Sequence, residues 1–287
     1  MPQPSTLQLL RVHFSFFLLP VYLFALSQVV YTNWWKAMLI FCILHLLVYP
    51  ASNGYNSYMD RDESPIGGIR SPLLPTPELL KVVSVMDIAA VLLSMFVDIW
   101  FTVGVLVYIL ASRMYSSRVT RLKRFAISGF LLVISCQGAL VFWLVYHGSH
   151  LSLPLQVPVT GCVASSLLIA GAYPLTQIYQ HEADAHDGVK TISMLVGIKG
   201  TFVLSSLLFS MAFVALGLHF ALQLELIRFL VLLCCFLPVQ IFFLWWMRKS
   251  WKDAHEANFD NLMKMNIISA VCSNTGFLII LIWKLID

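Results

Sequence analysis

Charge is scarce in this sequence. Of 287 residues, only 11% are Asp, Glu, Lys or Arg, against roughly one quarter in soluble globular domains. That deficit excludes a water-soluble domain anywhere in the chain. Cysteine is sparse as well: Cys42, Cys136, Cys162, Cys234, Cys235 and Cys272 all fall within apolar segments. They read as small buried hydrophobes rather than disulfide or zinc partners, and the adjacent Cys234 and Cys235 point to different helix faces. Low-complexity tracts and soluble linkers are absent. So is a convincing cleavable signal, because the apolar run in MPQPSTLQLLRVHFSFFLLPVYLFALSQVVY is longer than the roughly 7–15 residues of a signal core. It reads as a first retained span.

What the chain does have is apolar surface, with 59% hydrophobic residues and a mean hydropathy of +0.83. A bilayer core calls for runs of about 20 such residues. Runs lie at 12–33, 36–57, 78–97, 99–113, 125–147, 157–179, 199–220, 225–247 and 263–284, which predicts an all-α, polytopic membrane bundle of about nine transmembrane helices. The weakest division is at Asp98. A single integral-membrane domain over residues 1–287 is expected.

Lys and Arg in short loops set orientation. With the N-terminus inside, the inner segments hold Arg11, Arg61, Arg70, Arg113, Arg118, Arg121, Lys123, Arg124, Lys190, Arg248, Lys249 and Lys252, while Lys36, Arg228 and Lys284 lie outside. Tyr31, Trp34, Trp35, Trp100, Trp245, Trp246, Trp251 and Trp283 lie near span ends, where interfacial anchoring is their simplest role. The short loops and compact chain fit a bacterial inner membrane. No nucleic-acid partner is expected, and the oligomeric state is not legible.

Two short windows break the apolar pattern. NGYNSYMDRDESP (53–65) and QIYQHEADAHDGVKT (177–191) together hold six of the fourteen acidic residues, and both fall on the predicted inner side. In the first, Asn53, Asn56 and Asp60 are spaced i, i+3, i+7 and share a helical face; Pro65, Gly67 and Gly68 stop the helix soon after. In the second, Gln180 and Asp184 are spaced i, i+4, Glu182 and Asp187 flank them, and Gly188 terminates the helix. Carboxylate and carboxamide oxygens at helix ends suit a hard cation. Mg²⁺ takes one or two carboxylates together with water and phosphate oxygens, and Arg61, Arg70 and Lys190 are placed to bind phosphate. Such a site handles a diphosphate. The competing explanation is a pair of solvated loops whose acids balance nearby bases.

These windows resemble the signatures of the UbiA superfamily of intramembrane prenyltransferases. The first family motif, Asn-x-x-x-Asp-x-x-x-Asp, reads here Asn56-Ser-Tyr-Met-Asp60-Arg61-Asp-Glu-Ser64. The second, Asp-x-x-x-Asp-x-x-x-Gly-x-Lys-Thr, reads Gln180-His-Glu-Ala-Asp184-Ala-His-Asp-Gly188-Val-Lys190-Thr191, with Gly197 following. The resemblance spans the whole chain, and DGVKT is its most specific element. Ser64 and Gln180 each stand where the family has Asp, with Asp62 or Glu63, and Glu182 or Asp187, close enough to substitute.

The resemblance implies a Mg²⁺-dependent transfer of an isoprenyl group from an isoprenyl diphosphate to an aromatic or other lipid-soluble acceptor, with the active site facing the cytoplasm. It implies metal ligation by Asn56, Asp60, Gln180 and Asp184, with Asp62 and Glu182 as further ligands. Asp60, Asp184 and Lys190 are the implied catalytic residues. Lys190 and Arg61 lead the diphosphate contacts, with Arg70, Arg11, Lys123 and Arg124 behind them. Tyr58, Tyr115 and Tyr179 are candidates to face a carbocation, although anchoring explains any one of them as well. His181 and His186 read as solvated loop residues. His13 and His45, within spans, read as bonded to neighbouring helices. Asp87, at mid-span, calls for a polar partner on another helix.

Two alternatives stay open. A terpene cyclase on the same fold would need no acceptor, and the altered Asp positions favour keeping it. A transporter predicts charges at the bilayer midplane and broken helix pairs, whereas the acids here cluster at span ends.

Overall fold

A computed structural model describes residues 3–286. In chain order the helices are α1 (Pro4–Leu9), α2 (Leu19–Gln28), α3 (Trp34–Asp60), α4 (Pro77–Ser94), α5 (Ile99–Ser116), α6 (Ala126–Ser149), α7 (Val159–Gln177), α8 (His181–His186), α9 (Ile192–Leu222), α10 (Leu226–Lys252) and α11 (Phe259–Ile286). A 3₁₀ segment, Val12–Phe17, joins α1 to α2. The described residues contain no strand, only isolated bridges.

Among the described residues, seven helices (α3, α5, α6, α7, α9, α10 and α11) are long and apolar enough to cross a bilayer. The segment Pro4–Phe17 and α2, bent by 43°, bring the number to eight if they form one span. The expected count of about nine is slightly above this, while the all-helical membrane class holds. The run read at 78–97 does form helix α4, but its 18 residues include Glu78, Lys81 and Asp87. The run read at 12–33 is not one rod either. Pro20 has no N–H to return to the carbonyl of Phe16, and the chain bends just before it.

Two spans widen into a π turn. In α3 it covers Cys42–Val48, with the Tyr49 N–H reaching back to the Leu44 carbonyl. Pro50 follows directly; its ring crowds the carbonyl four residues back, and the wider turn accommodates it. In α6 the π turn covers Ser135–Leu140 and the cause is packing. Gly138 lies so close to α7 that a Cβ there would sit 2.4 Å from Ser166 Cα. The Ala139 N–H donates to Ser166 Oγ at 3.0 Å.

The chain divides into two compact units. The first comprises residues 1–16, 29–123 and 144–156. Its core includes Leu9, Leu10, Ala51, Leu79 and Val83, closed by Ile66 and Ile69. Those two isoleucines exchange both backbone hydrogen bonds at 2.9 Å around Gly67 and Gly68, the latter at φ +85°. The turn thereby anchors the chain that follows the first polar window.

The second unit comprises residues 17–28, 124–143 and 157–287. Phe24 is its hub, stacked on Phe277 at 5.0 Å and tilted against Phe142 at 5.2 Å. Buried His219 bonds Thr160 Oγ1 at 2.8 Å and Gln28 Oε1 at 2.9 Å, so the apolar helices share one satisfied polar node. Trp246 departs from the anchoring expectation. It is fully buried, packs edge-on to Phe202 at 5.0 Å and donates its indole N–H to the Glu256 carbonyl at 2.8 Å. Tyr31, Trp34, Trp35, Trp100, Trp245 and Trp251 are exposed as anchors would be.

Candidate active site

The first motif occupies the last turns of α3. Asp60 ends the helix, and Arg61 turns the chain in the left-handed conformation (φ 55°, ψ 43°), its N–H donating to the Ser57 carbonyl at 3.0 Å. A side chain costs about 1–2 kcal/mol in that conformation, so neighbours must hold it. Arg118 does so: its Nε donates to the Met59 carbonyl at 2.7 Å and its Nη2 to the Asp60 carbonyl at 3.3 Å. A guanidinium at a helix C-terminus satisfies orphan carbonyls and complements the helix dipole. Part of the basic loop after α5 is thus committed to holding the motif in shape.

The side chains of this motif are tightly placed. Asn56 Oδ1 accepts a hydrogen bond from Ser116 Oγ at 2.7 Å, and Ser116 is itself buried. Asp60 Oδ2 lies 2.5 Å from Lys123 Nζ, and only 4% of the Asp60 side chain is exposed. Asp60 Oδ1, Ser57 Oγ and Asn53 Nδ2 are buried without a hydrogen-bond partner. Arg61 and Arg70 are exposed, with Arg61 lying 6.0 Å from the centre of the Tyr58 ring. Arg11 is differently employed. It is buried, and its guanidinium donates to the Gly67 carbonyl at 3.2 Å and the Asn53 carbonyl at 3.3 Å. Its visible work is to tie the motif to the turn behind it. Asp62 is half-buried and Glu63 exposed.

The second motif is a short helix between two spans. Gln180 precedes α8, and the Asp184 N–H donates to the Gln180 carbonyl at 2.8 Å, which realises the i, i+4 relation. Gly188 follows at φ +67°, and the Val189 N–H returns to the Asp184 carbonyl at 2.8 Å. Lys190 extends an exposed side chain while its N–H bonds the Arg124 carbonyl at 3.3 Å. Thr191 caps α9 by accepting from the Met194 N–H at 3.3 Å. Gln180 and Asp184 are partly buried, Glu182 and His186 exposed.

His181 is not the solvated residue expected. Its Nε2 lies 2.7 Å from Ser193 Oγ, which continues to Thr201 Oγ1 at 2.8 Å, and Thr201 donates to the Gly197 carbonyl at 2.8 Å. Gly197, at φ 70° and ψ 174°, breaks the helical backbone. Burial pushes the His181 pKa below its ordinary 6.5, which favours the neutral ring. Nothing in local spacing flags Ser116, Arg118 or the His181–Ser193–Thr201 chain, since each gains its role from residues distant in sequence.

Among the described residues, no three His, Cys, Asp or Glu side chains are grouped so as to hold a metal ion. The donors still fit Mg²⁺ chemically. The unpartnered buried Oδ1 of Asp60 and the carboxamide oxygen of Asn56 are hard ligands, and Mg²⁺ draws most of its remaining coordination from water and phosphate.

A helical chain with this many bilayer-length apolar spans is an integral-membrane protein. Residues 16–268 match the UbiA prenyltransferase family, and the chain belongs to that family. A comparison with curated protein sequences found no match. Among solved structures, the fold is similar to a UbiA homologue from Archaeoglobus fulgidus bound to DMAPP and Mg²⁺, at 19% identity, a TM-score of 0.66 and coverage of 96% of this chain and 99% of that one. An apo UbiA homologue from Aeropyrum pernix K1 aligns at 17% identity with a TM-score of 0.68, covering 93% and 97%. A digeranylgeranylglyceryl phosphate synthase aligns at 20% identity with a TM-score of 0.61, covering 97% and 96%.

Proposed function

We propose that this protein is a Mg²⁺-dependent intramembrane prenyltransferase that moves an isoprenyl group from an isoprenyl diphosphate to an aromatic or other lipid-soluble acceptor. The observation that carries the reading is Asp60: a carboxylate almost sealed from solvent at a helix end, in the position of the family's first motif. In the reading, Asn56, Asp60 and Asp184 are the principal metal ligands, with Gln180, Asp62 and Glu182 secondary. Lys190 and Arg61 bind the diphosphate, with Lys123, Arg70 and Arg11 as further cations. The relatives solved with DMAPP and Mg²⁺, and with GPP and Mg²⁺, support a donor of this class.

When bound, the metal supplies charge to the leaving diphosphate. The donor's allylic carbon–oxygen bond breaks with its electron pair going to diphosphate, the acceptor attacks the carbon, and the acceptor gives up a proton. Lys190 and Arg61 hold the departing oxygens, and the apolar spans keep water away from the cation. The whole chain acts as one multi-pass domain over residues 1–287, in a bacterial inner membrane with both motifs on the cytoplasmic side.

The test is product analysis by mass spectrometry. Purified protein in lipid nanodiscs is supplied with Mg²⁺, DMAPP or GPP, and a panel of aromatic and lipid-alcohol acceptors. A prenylated acceptor is expected. A cyclised hydrocarbon or alcohol formed without any acceptor would replace the transferase with the cyclase, which the carboxylate losses at Ser64 and Gln180 favour as a second reading. Turnover that survives both Asp60→Ala and Asp184→Ala would remove the enzyme reading at its centre.

A further inference from the structure

Lys123 and Asp60 form a contact whose geometry exceeds the needs of structure. The ammonium sits 2.5 Å from Asp60 Oδ2, and the two side chains are 12% and 4% exposed. An ion pair selected for stability satisfies its remaining lone pairs, yet Asp60 Oδ1 is buried with no partner. Ser57 Oγ and Asn53 Nδ2, one and two turns back along α3, are buried and unpartnered as well. Each such atom carries a desolvation cost. With Lys123 in place, one carboxylate oxygen is occupied by the ammonium and the other is shielded from solvent.

We propose that Lys123 is a tethered cation that occupies the first motif in the resting protein and competes with divalent metal for Asp60. The inference rests on the proposed metal role of Asp60 and goes beyond it, because it makes metal entry conditional on a lysine. Lys123 that leaves Asp60 carries its positive charge to whatever anion is present, and a diphosphate is the natural recipient. Metal and diphosphate then strengthen each other's binding, with the coupling reciprocal by linkage. Metal alone binds weakly because it must displace the ammonium without that compensation. Arg118 stays on the Met59 and Asp60 carbonyls, so the helix end does not have to move.

Mn²⁺ is a suitable probe because carboxylate, carbonyl and water suit it as they suit Mg²⁺, and its free concentration is read by electron paramagnetic resonance. Titrated into the purified full-length chain without diphosphate, it is expected to bind Lys123→Met at least tenfold more tightly than wild type. Lys123→Gln, a second variant should the first fail to fold, is expected to show the same gain, while Lys123→Arg keeps a cation at Asp60 and stays near wild type. Adding Asp60→Asn to Lys123→Met is expected to abolish the gain. Inorganic pyrophosphate is expected to raise Mn²⁺ affinity more in wild type than in Lys123→Met. If Lys123→Met and Lys123→Gln bind Mn²⁺ no more tightly than wild type while Asp60→Asn weakens binding, Asp60 is a ligand and the competition is wrong. If Asp60→Asn changes Mn²⁺ binding in no background, the metal role of Asp60 itself fails, and the competition falls with it.

Discussion

The carboxylate of Asp87 on α4 is ion-paired with the guanidinium of Arg113 on α5, and that guanidinium lies over the Tyr55 ring of α3, 4.4 Å from its centre. One mid-helix charge therefore joins three helices of the first unit. Both partners are less than one-fifth exposed. Removing one leaves a buried charge unpaired, which costs about 3–5 kcal/mol, whereas replacing both with apolar groups is often neutral. Asp87→Leu or Arg113→Met alone is expected to lower the thermal midpoint clearly. The double variant should recover most of the loss, as read by tryptophan-fluorescence melting in detergent or nanodiscs. A double variant as unstable as the worse single one would show that the pair itself supplies net stability.

Asp60→Ala and Asp184→Ala are each expected to lower isoprenyl-diphosphate turnover by at least a hundredfold, about 2.7 kcal/mol of transition-state stabilisation. Chelation of divalent metal should do the same to wild type, with Mg²⁺ restoring activity. If Lys190 binds the diphosphate as proposed, Lys190→Ala is expected to act more on KM. Steady-state kinetics with DMAPP or GPP measure all three.

Ser116 bears on the site through Asn56. Its hydroxyl donates to Asn56 Oδ1 at 2.7 Å, which sets the direction of the carboxamide. Ser116→Ala removes a hydrogen bond worth about 1 kcal/mol and is expected to reduce turnover roughly fivefold to tenfold with little change in fold. Ser116→Thr, which keeps a hydroxyl, should be closer to wild type. Equal losses in the two variants would point to packing instead.

His181 gives the second motif a pH dependence of definite sign. Burial lowers its pKa below 6.5, so the unfolded chain takes up a proton first as pH falls. The stability from the neutral, half-buried ring is complete above about pH 6.5 and is lost on acidification below it. Melting midpoints at pH 7.5 and pH 5.5 should differ more in wild type than in His181→Gln. The proteolytic sensitivity of segment 181–193 should rise at the lower pH in wild type alone.

Gly138→Ala tests a close backbone approach between α6 and α7. A Cβ there would lie 2.4 Å from Ser166 Cα and 2.6 Å from its N, contacts with backbone that cannot rotate away. Overpacking of this kind costs about 1–3 kcal/mol. The variant is expected to melt several degrees lower and to lose the π turn, which also frees the Ala139 N–H from Ser166.

Much of this molecule was legible along the chain. The spans followed from hydropathy because a bilayer imposes one length on any helix that crosses it. The miscount had a local cause: α4 carries three ionisable residues in 18, and Pro20 splits the first run. The expectation that Asp87 needs a partner on another helix was met by Arg113, although nothing in the sequence marked which base it was. His181 and Trp246 were misread for the same reason. Both have the local sequence of exposed residues, and both are covered by segments that arrive from elsewhere in the chain.

The sequence by itself determined that this is an all-α membrane protein, placed two oxygen-rich motifs at helix ends, and carried the spacing of a prenyltransferase family. Those properties depend on run length and on residues within a few turns of one another, where helical geometry makes position predictable. Only the tertiary structure decided which groups answer those motifs: Lys123 on Asp60, Arg118 on the carbonyls of Met59 and Asp60, and Ser116 on Asn56. Arg118 and the Asp60 carbonyl it holds are 58 positions apart, and Ser116 and Asn56 are 60. At that separation helical periodicity no longer relates two residues, and the packing of α3, α5 and the loop that follows decides which side chains meet.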